Sequence, residues 1–182
     1  SPYTRKAPYH YGWDWGPSFA TSGIWQSVEL IGIGNWFIDS AHIFQKEVSS
    51  NKAELALKLV VESSIDAEAE LLIVEKKSNI KISKNLQLKH GENQLSEAIT
   101  IDDPDLWWPV GHGDQNLYEF QIALETKEWK EELTKRIGIR DFKVEQKKDK
   151  QGTGFTFVIN GKSIFSKGAN WIPADSFTTR LK

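Results

Sequence analysis

An all-β fold of short antiparallel strands is what this 182-residue sequence predicts, and three observations carry the prediction. Apolar and polar residues alternate in one segment after another, the period of a strand with one dry face. Turn signals interrupt these segments at regular intervals: Ser63-Ser64, Lys77-Ser78-Asn79, His90-Gly91-Glu92 and Gly111-His112-Gly113-Asp114. No sustained helical period intervenes. Together they argue for an immunoglobulin-like antiparallel β-sandwich from about Trp36 to about Phe142.

Taken in order, residues 1–34 begin rich in aromatics and glycine and end in an expected strand at 23–31. There Ile24, Gln26, Val28 and Leu30 fall on one face and Trp25, Ser27, Glu29 and Ile31 on the other. Residues 37–48 form the next candidate. In 53–62, Leu55, Leu57, Leu59 and Val61 alternate with Glu54, Ala56, Lys58 and Val60, which gives one wetter face. Further strands are expected at 67–75, 80–88, 93–101, 117–126, 129–137 and 139–147. The stretch 62–77 has high helix propensity through Ile65 to Leu72, but sheet context overrides propensity of this size, so strand is preferred. Residues 154–168 read as two apolar strands around Asn160-Gly161, the strongest short-range hairpin signal. The charge run 145–150 reads as a solvated link at a domain border.

Composition narrows the function. Lysine and arginine total 23 against 25 acidic residues, a net charge of -2, so nucleic acid and anionic membrane are not expected partners and a neutral ligand fits better. No apolar run approaches the roughly 20 residues that span a bilayer. Absence of cysteine removes disulfides, thiolate metal sites and cysteine nucleophiles, and leaves the redox compartment open. The chain has no methionine, starts at Ser1 and stops at Lys182 just after a motif, so it is expected to be an internal piece of something longer.

Two motifs could carry chemistry. Tyr9-His10-Tyr11-Gly12-Trp13-Asp14-Trp15-Gly16-Pro17 packs aromatics, glycines and one carboxylate into a non-periodic stretch, the kind of loop where sites sit. Trp13 and Trp15 can lay a ring on the C–H face of a pyranose while Asp14 accepts hydrogen bonds from neighbouring hydroxyls. The alternative is that both tryptophans plug a sandwich end and Asp14 caps a turn. Gly168-Ala169-Asn170-Trp171-Ile172-Pro173-Ala174-Asp175 follows an apolar strand, as a β/α barrel opens a pocket wall. Trp171 and Asp175 are candidates for substrate contact with Asn170 as a supporting donor. An ordinary strand exit, with Asp175 or Ser176 as a cap, is the alternative.

Other clusters read as structural. His10, His42, His90 and His112 are scattered without ligand spacing, so no metal site is expected and they read as surface or turn residues. Asp102, Asp103 and Asp105 beside Trp107-Trp108-Pro109 are neighbours in one solvated loop. A retaining glycosidase instead needs two carboxyl groups about 5 Å apart across a sugar. The tryptophans there are expected to pack on the sandwich.

Gly12-Trp13-Asp14-Trp15-Gly16-Pro17, Gly23-Ile24-Trp25, Leu106-Trp107-Trp108-Pro109, Asn116-Leu117-Tyr118, Gly138-Ile139-Arg140 and the ending 168–175 together resemble the β-mannosidases of glycoside hydrolase family two, in order and across essentially the whole chain. The resemblance implies three parts. Residues 1–34 would be the tail of a jelly-roll sugar-binding domain, 35–142 a complete sandwich serving as spacer, and 143–182 the hairpin and first strand of an incomplete (β/α)8 barrel. It also implies that Trp13, Asp14 and Trp15, with Asn170, Trp171 and Asp175, line a pocket for the terminal mannose of a β-mannoside oligosaccharide. The family's catalytic glutamates would lie beyond Lys182, so the implied reaction is cofactor-free retaining hydrolysis by a parent protein, and the piece alone is expected to be inactive. The rival is a non-catalytic carbohydrate-binding or adhesion sandwich, which would need Trp107 and Trp108 exposed. Unpaired edges near Trp25 to Ile31 also predict self-association.

Overall fold

The computed structural model describes residues 3–14, 16–19, 21–172, 174, 175, 177, 180 and 181. Ten strands occur among them: β1 (Trp36–Val48), β2 (Lys52–Ser63), β3 (Ala67–Glu75), β4 (Ile80–Leu88), β5 (Gly91–Asp102), β6 (Tyr118–Glu125), β7 (Lys130–Ile137), β8 (Phe142–Glu145), β9 (Thr156–Ile159) and β10 (Lys162–Ile164). No helix among the described residues is long and apolar enough to cross a membrane. The chain divides into two units: residues 32–166 form one, and residues 1–31 with 167–182 form the other.

The larger unit is a sandwich with a small third sheet. One layer is β1-β2-β5, the other β4-β3-β6-β7, and the third sheet runs β10-β9-β8. All neighbouring strands pair antiparallel. The chain crosses between layers from β2 to β3, from β4 to β5 and from β5 to β6, so hairpin neighbours and crossovers mix as in immunoglobulin-like sandwiches. The expected fold class is found.

The alternation read from the sequence sets the core. Leu55, Leu57, Leu59 and Val61 of β2 bury fully and meet Leu71 and Ile73 of β3, Ile99 and Ile101 of β5, and Phe120, Ile122 and Leu124 of β6 in one cluster. Residues 67–75, where helix competed, form β3, because its alternate residues complete this core. Tyr118 opens β6 as an immunoglobulin-type tyrosine corner does: the backbone N–H of Asp105 donates to its hydroxyl at 2.8 Å. The Lys77 ammonium lies 4.9 Å from that ring and pairs with Asp105 at 2.8 Å, which holds its pKa above the ordinary lysine value.

Two expectations are corrected. Residues 23–31 form no strand; Ile24, Trp25, Val28, Leu30 and Ile31 are exposed. A strand exists through its ladder, and alternation without a paired neighbour does not make one. The strand expected over 139–147 shrinks to β8. Its first residues are held instead by side-chain amides, described below.

Candidate functional site

In the smaller unit, Pro8–Tyr11 forms one 3-10 turn, with proline at its start where no N–H is needed. Gly12 ends it at φ 108°, a value that favours glycine, and its N–H donates to Tyr9 C=O at 3.3 Å. Trp13 and Gly16 then exchange both backbone hydrogen bonds, at 3.3 and 3.2 Å, closing a tight loop that carries Asp14. Asp14 is exposed and Trp13 is 53% exposed. Trp15 lies outside the described residues.

Phe19 anchors this loop. Its N–H donates to His10 C=O at 3.0 Å, and its ring stacks on Phe177 with centroids 4.9 Å apart. That ring pair belongs to the same unit and joins the segment carrying Trp13 and Asp14 to the segment carrying Asn170, Trp171 and Asp175. Trp171 is 88% exposed and Asn170 is exposed as well. Large indoles left open to water beside carboxylate and amide groups suit stacking on a hydroxyl-rich ring.

Asp175 is engaged locally. Its Oδ1 accepts from Phe177 N–H at 2.8 Å and from Arg180 Nη2 at 2.7 Å. That bond raises the pKa of the guanidinium, which also sits 4.5 Å from the Phe177 ring. The sequence offers Asp175 as a substrate contact, or Asp175 or Ser176 as a cap, and both of these Oδ1 bonds are local to residues 175–180.

His10 lies in the 3-10 turn, as the reading of a surface or turn histidine expects, and both its ring nitrogens are buried without a hydrogen-bond partner among the described residues, while its ring edge meets Tyr9 at 4.5 Å. Spacing could not reveal it, because burial of one imidazole in a loop depends on tertiary placement. Among the described residues no group of three or more histidine or acidic side chains could hold a metal ion.

The motif tryptophans of the larger unit behave differently. Trp107 and Trp108 are half-buried, each seated on a glycine: a Cβ at Gly138 would fall 2.6 Å from the Trp107 ring and one at Gly113 2.8 Å from the Trp108 ring. Arg140 covers Trp107 at 5.0 Å, and Asn116 Nδ2 donates to Leu106 C=O at 3.1 Å. The sequence had linked these residues only by resemblance. In the structure they pack together.

Comparison with known proteins follows the same division. The description "Glycosyl hydrolases family 2" matches residues 36–140, and "Glycosyl hydrolase 2 galactose-binding domain-like" matches residues 1–26. Beta-mannosidase B from Emericella nidulans is 37% identical over 97% of the chain, and so is the enzyme of that name from Aspergillus niger. The chain spans about a fifth of each, 21% of their length. The crystal structure of β-D-mannosidase from Dictyoglomus thermophilum superposes with a TM-score of 0.88 at 38% identity, covering 98% of this chain and 22% of that one. An exo-chitosanase from Amycolatopsis orientalis shares the fold, with a TM-score of 0.69 at 24% identity over 82% of this chain and 18% of its own.

Proposed function

Because the chain belongs to glycosyl hydrolases family 2, we propose that it is a portion of a retaining β-mannosidase, which removes terminal β-linked mannose from the non-reducing ends of glycosides and oligosaccharides. The observation that carries this reading is the likeness to the Dictyoglomus β-D-mannosidase across 98% of the chain. The exposed Trp13, Asp14, Asn170 and Trp171 supply what a neutral sugar needs: indole faces for its C–H surface, and acceptor and donor groups for its hydroxyls. On this reading Trp15 and Asp175 belong to the same pocket, with Asp175 holding its rim through Arg180.

The sandwich of residues 35–142 acts as a spacer. Trp36 and Phe120 are buried and Trp107 and Trp108 sit half-buried on glycines, while Trp129 is 41% exposed. That disfavours the rival platform of exposed tryptophans on a binding module. Retaining hydrolysis needs an acid and a nucleophile about 5 Å apart across the sugar. We assign both to the part of the parent protein outside these 182 residues. No cofactor enters this chemistry, since proton transfer and a glycosyl-enzyme bond suffice.

The test is hydrolysis of an aryl β-mannoside by the gene's full-length product, run beside the 182-residue chain and with galactoside and glucuronide controls. Turnover of the mannoside by the longer protein alone is expected. Turnover by the 182-residue chain would refute the assignment of the catalytic pair, and no turnover of any glycoside would return the binding-module reading. The exposed run of Ile24, Val28, Leu30 and Ile31 makes the isolated chain self-associate. Its sedimentation coefficient should rise with concentration; a constant value would remove that expectation.

A further inference from the structure

Residues 138–141 link β7 to β8 without belonging to either ladder. Two side-chain amides hold them instead. Gln45 sits beside a bulge in β1 between Gln45 and Glu47; its Nε2 donates to Gly138 C=O at 3.2 Å and its Oε1 accepts from Arg140 N–H at 2.8 Å. Bulges commonly re-aim a side chain in this way. From the other side, Asn160 Oδ1 accepts from Asp141 N–H at 2.9 Å, and the Asn160 backbone N–H donates to Asp141 C=O at 2.9 Å. The remaining amide group, Asn160 Nδ2, donates to Trp107 C=O at 3.0 Å, in the loop between β5 and β6. One residue at a hairpin turn thus ties the third sheet to the sandwich.

Turn chemistry alone does not explain asparagine here. Asn160 and Gly161 have φ of 49° and 78°, with Ile159 paired to Lys162, the signature of a type I′ turn. Aspartate or glycine would serve such a turn as well. Of these three, only asparagine supplies the acceptor for Asp141 and the donor for Trp107 at once. Aspartate would set an oxygen against the Trp107 carbonyl, and glycine would remove both side-chain bonds.

We propose that Asn160 is a positioning residue: its side chain fastens the β9–β10 hairpin to the sandwich and so fixes where the chain leaves Ile164 on its way to Asn170 and Trp171. The effect on turnover rests on the β-mannosidase reading; the fastening does not. Asn160→Asp and Asn160→Gly in the full-length product keep the turn, the first losing the bond to Trp107 and the second both side-chain bonds. In the natural protein, amides of β9 and β10 should exchange hydrogen no faster than those of β8. In Asn160→Asp, which loses the bond to Trp107, they should exchange about tenfold faster, and in Asn160→Gly, which loses both side-chain bonds, faster still, while β2 and β6 stay unchanged.

At a temperature well below unfolding, both variants should raise KM for an aryl β-mannoside more than they lower kcat. Wild-type exchange in both variants would overturn the fastening, leaving Asn160 a turn former only. Faster exchange with unchanged KM would overturn the positioning role. If the natural protein turns over no mannoside, the β-mannosidase reading fails, and the exchange contrast alone upholds or overturns the fastening.

Discussion

The same residue type is used in opposite ways in the two units. In the larger, Trp36 is 1% exposed in the core, Trp107 and Trp108 lie half-buried on glycines with Arg140 over Trp107, and Trp129, at 41% exposure, is the exception. In the smaller, Trp13 and Trp171 stand open to water. Packing explains the first set completely, since each ring replaces water with protein on at least one face. The second set keeps much of its ring surface in water. That exposed surface is where ligand contact is proposed, so the contrast sets residues committed to the core beside residues proposed for recognition.

Four substitutions break or sharpen that contrast. Phe120→Ala, at a fully buried position of β6, should cost about 3–5 kcal/mol in urea denaturation. A loss below about 1 kcal/mol would mean the two sheets are not packed as described. Gly138→Ala places a methyl 2.6 Å from the Trp107 ring and should cost about 1–3 kcal/mol as the indole is displaced. If that variant keeps the natural stability and the natural Trp107 environment, the glycine seat is not a constraint. At the other pole, Trp171→Ala and Asp14→Asn should leave stability within about 0.5 kcal/mol, as substitutions at exposed positions do. In the full-length product the same two changes should lower kcat/KM for an aryl β-mannoside by about ten- to a hundredfold, the size of a lost charged hydrogen bond or ring stack. A variant that unfolds instead would move its residue to the structural side.

The smallest effect concerns acid. Asp66 accepts the N–H of His90 at 2.8 Å and pairs with Lys89 at 3.1 Å, and these bonds, the His90 one foremost, hold its pKa below the ordinary aspartate value. A carboxylate with a lowered folded pKa stabilises the fold above its unfolded value near 3.9 and loses that contribution as pH falls through the folded value. The His90 amide resonance should therefore move only below about pH 3.9. An inflection at or above that value would show that the carboxylate gains nothing from the turn.

Much of the fold was legible because its signals are local. Four apolar residues alternating through 55–61 can face one way only as a strand, and Asn160-Gly161 can adopt its positive φ pair with little strain. What misled was also local. Residues 23–31 alternate as well as β2 does, yet alternation describes faces, whereas a strand requires a partner for its backbone. The expected strand over 139–147 failed at its first residues because amides from Gln45 and Asn160, 95 and 19 positions away in the chain, take the ladder's place. No window of sequence contains that information. In the candidate site, the exposed Trp13 and Asp14 follow from a non-periodic aromatic loop. The local bond from Phe177 N–H to Asp175 and the burial of the His10 ring nitrogens depend on tertiary placement, which residue spacing does not carry.

The hairpin turn also carries a chemical clock. Asparagine followed by glycine is the sequence in which the next backbone nitrogen most readily attacks the side-chain carbonyl carbon, expelling ammonia and leaving a succinimide that water opens to aspartate or isoaspartate. At residues 160–161 that attack would require the amide to release both Asp141 and Trp107. The native fold therefore shields the residue on which its own fastening depends. A molecule that opens there repeatedly ages into a form whose tie cannot be remade, so chemical wear at this turn records how often the hairpin has come loose.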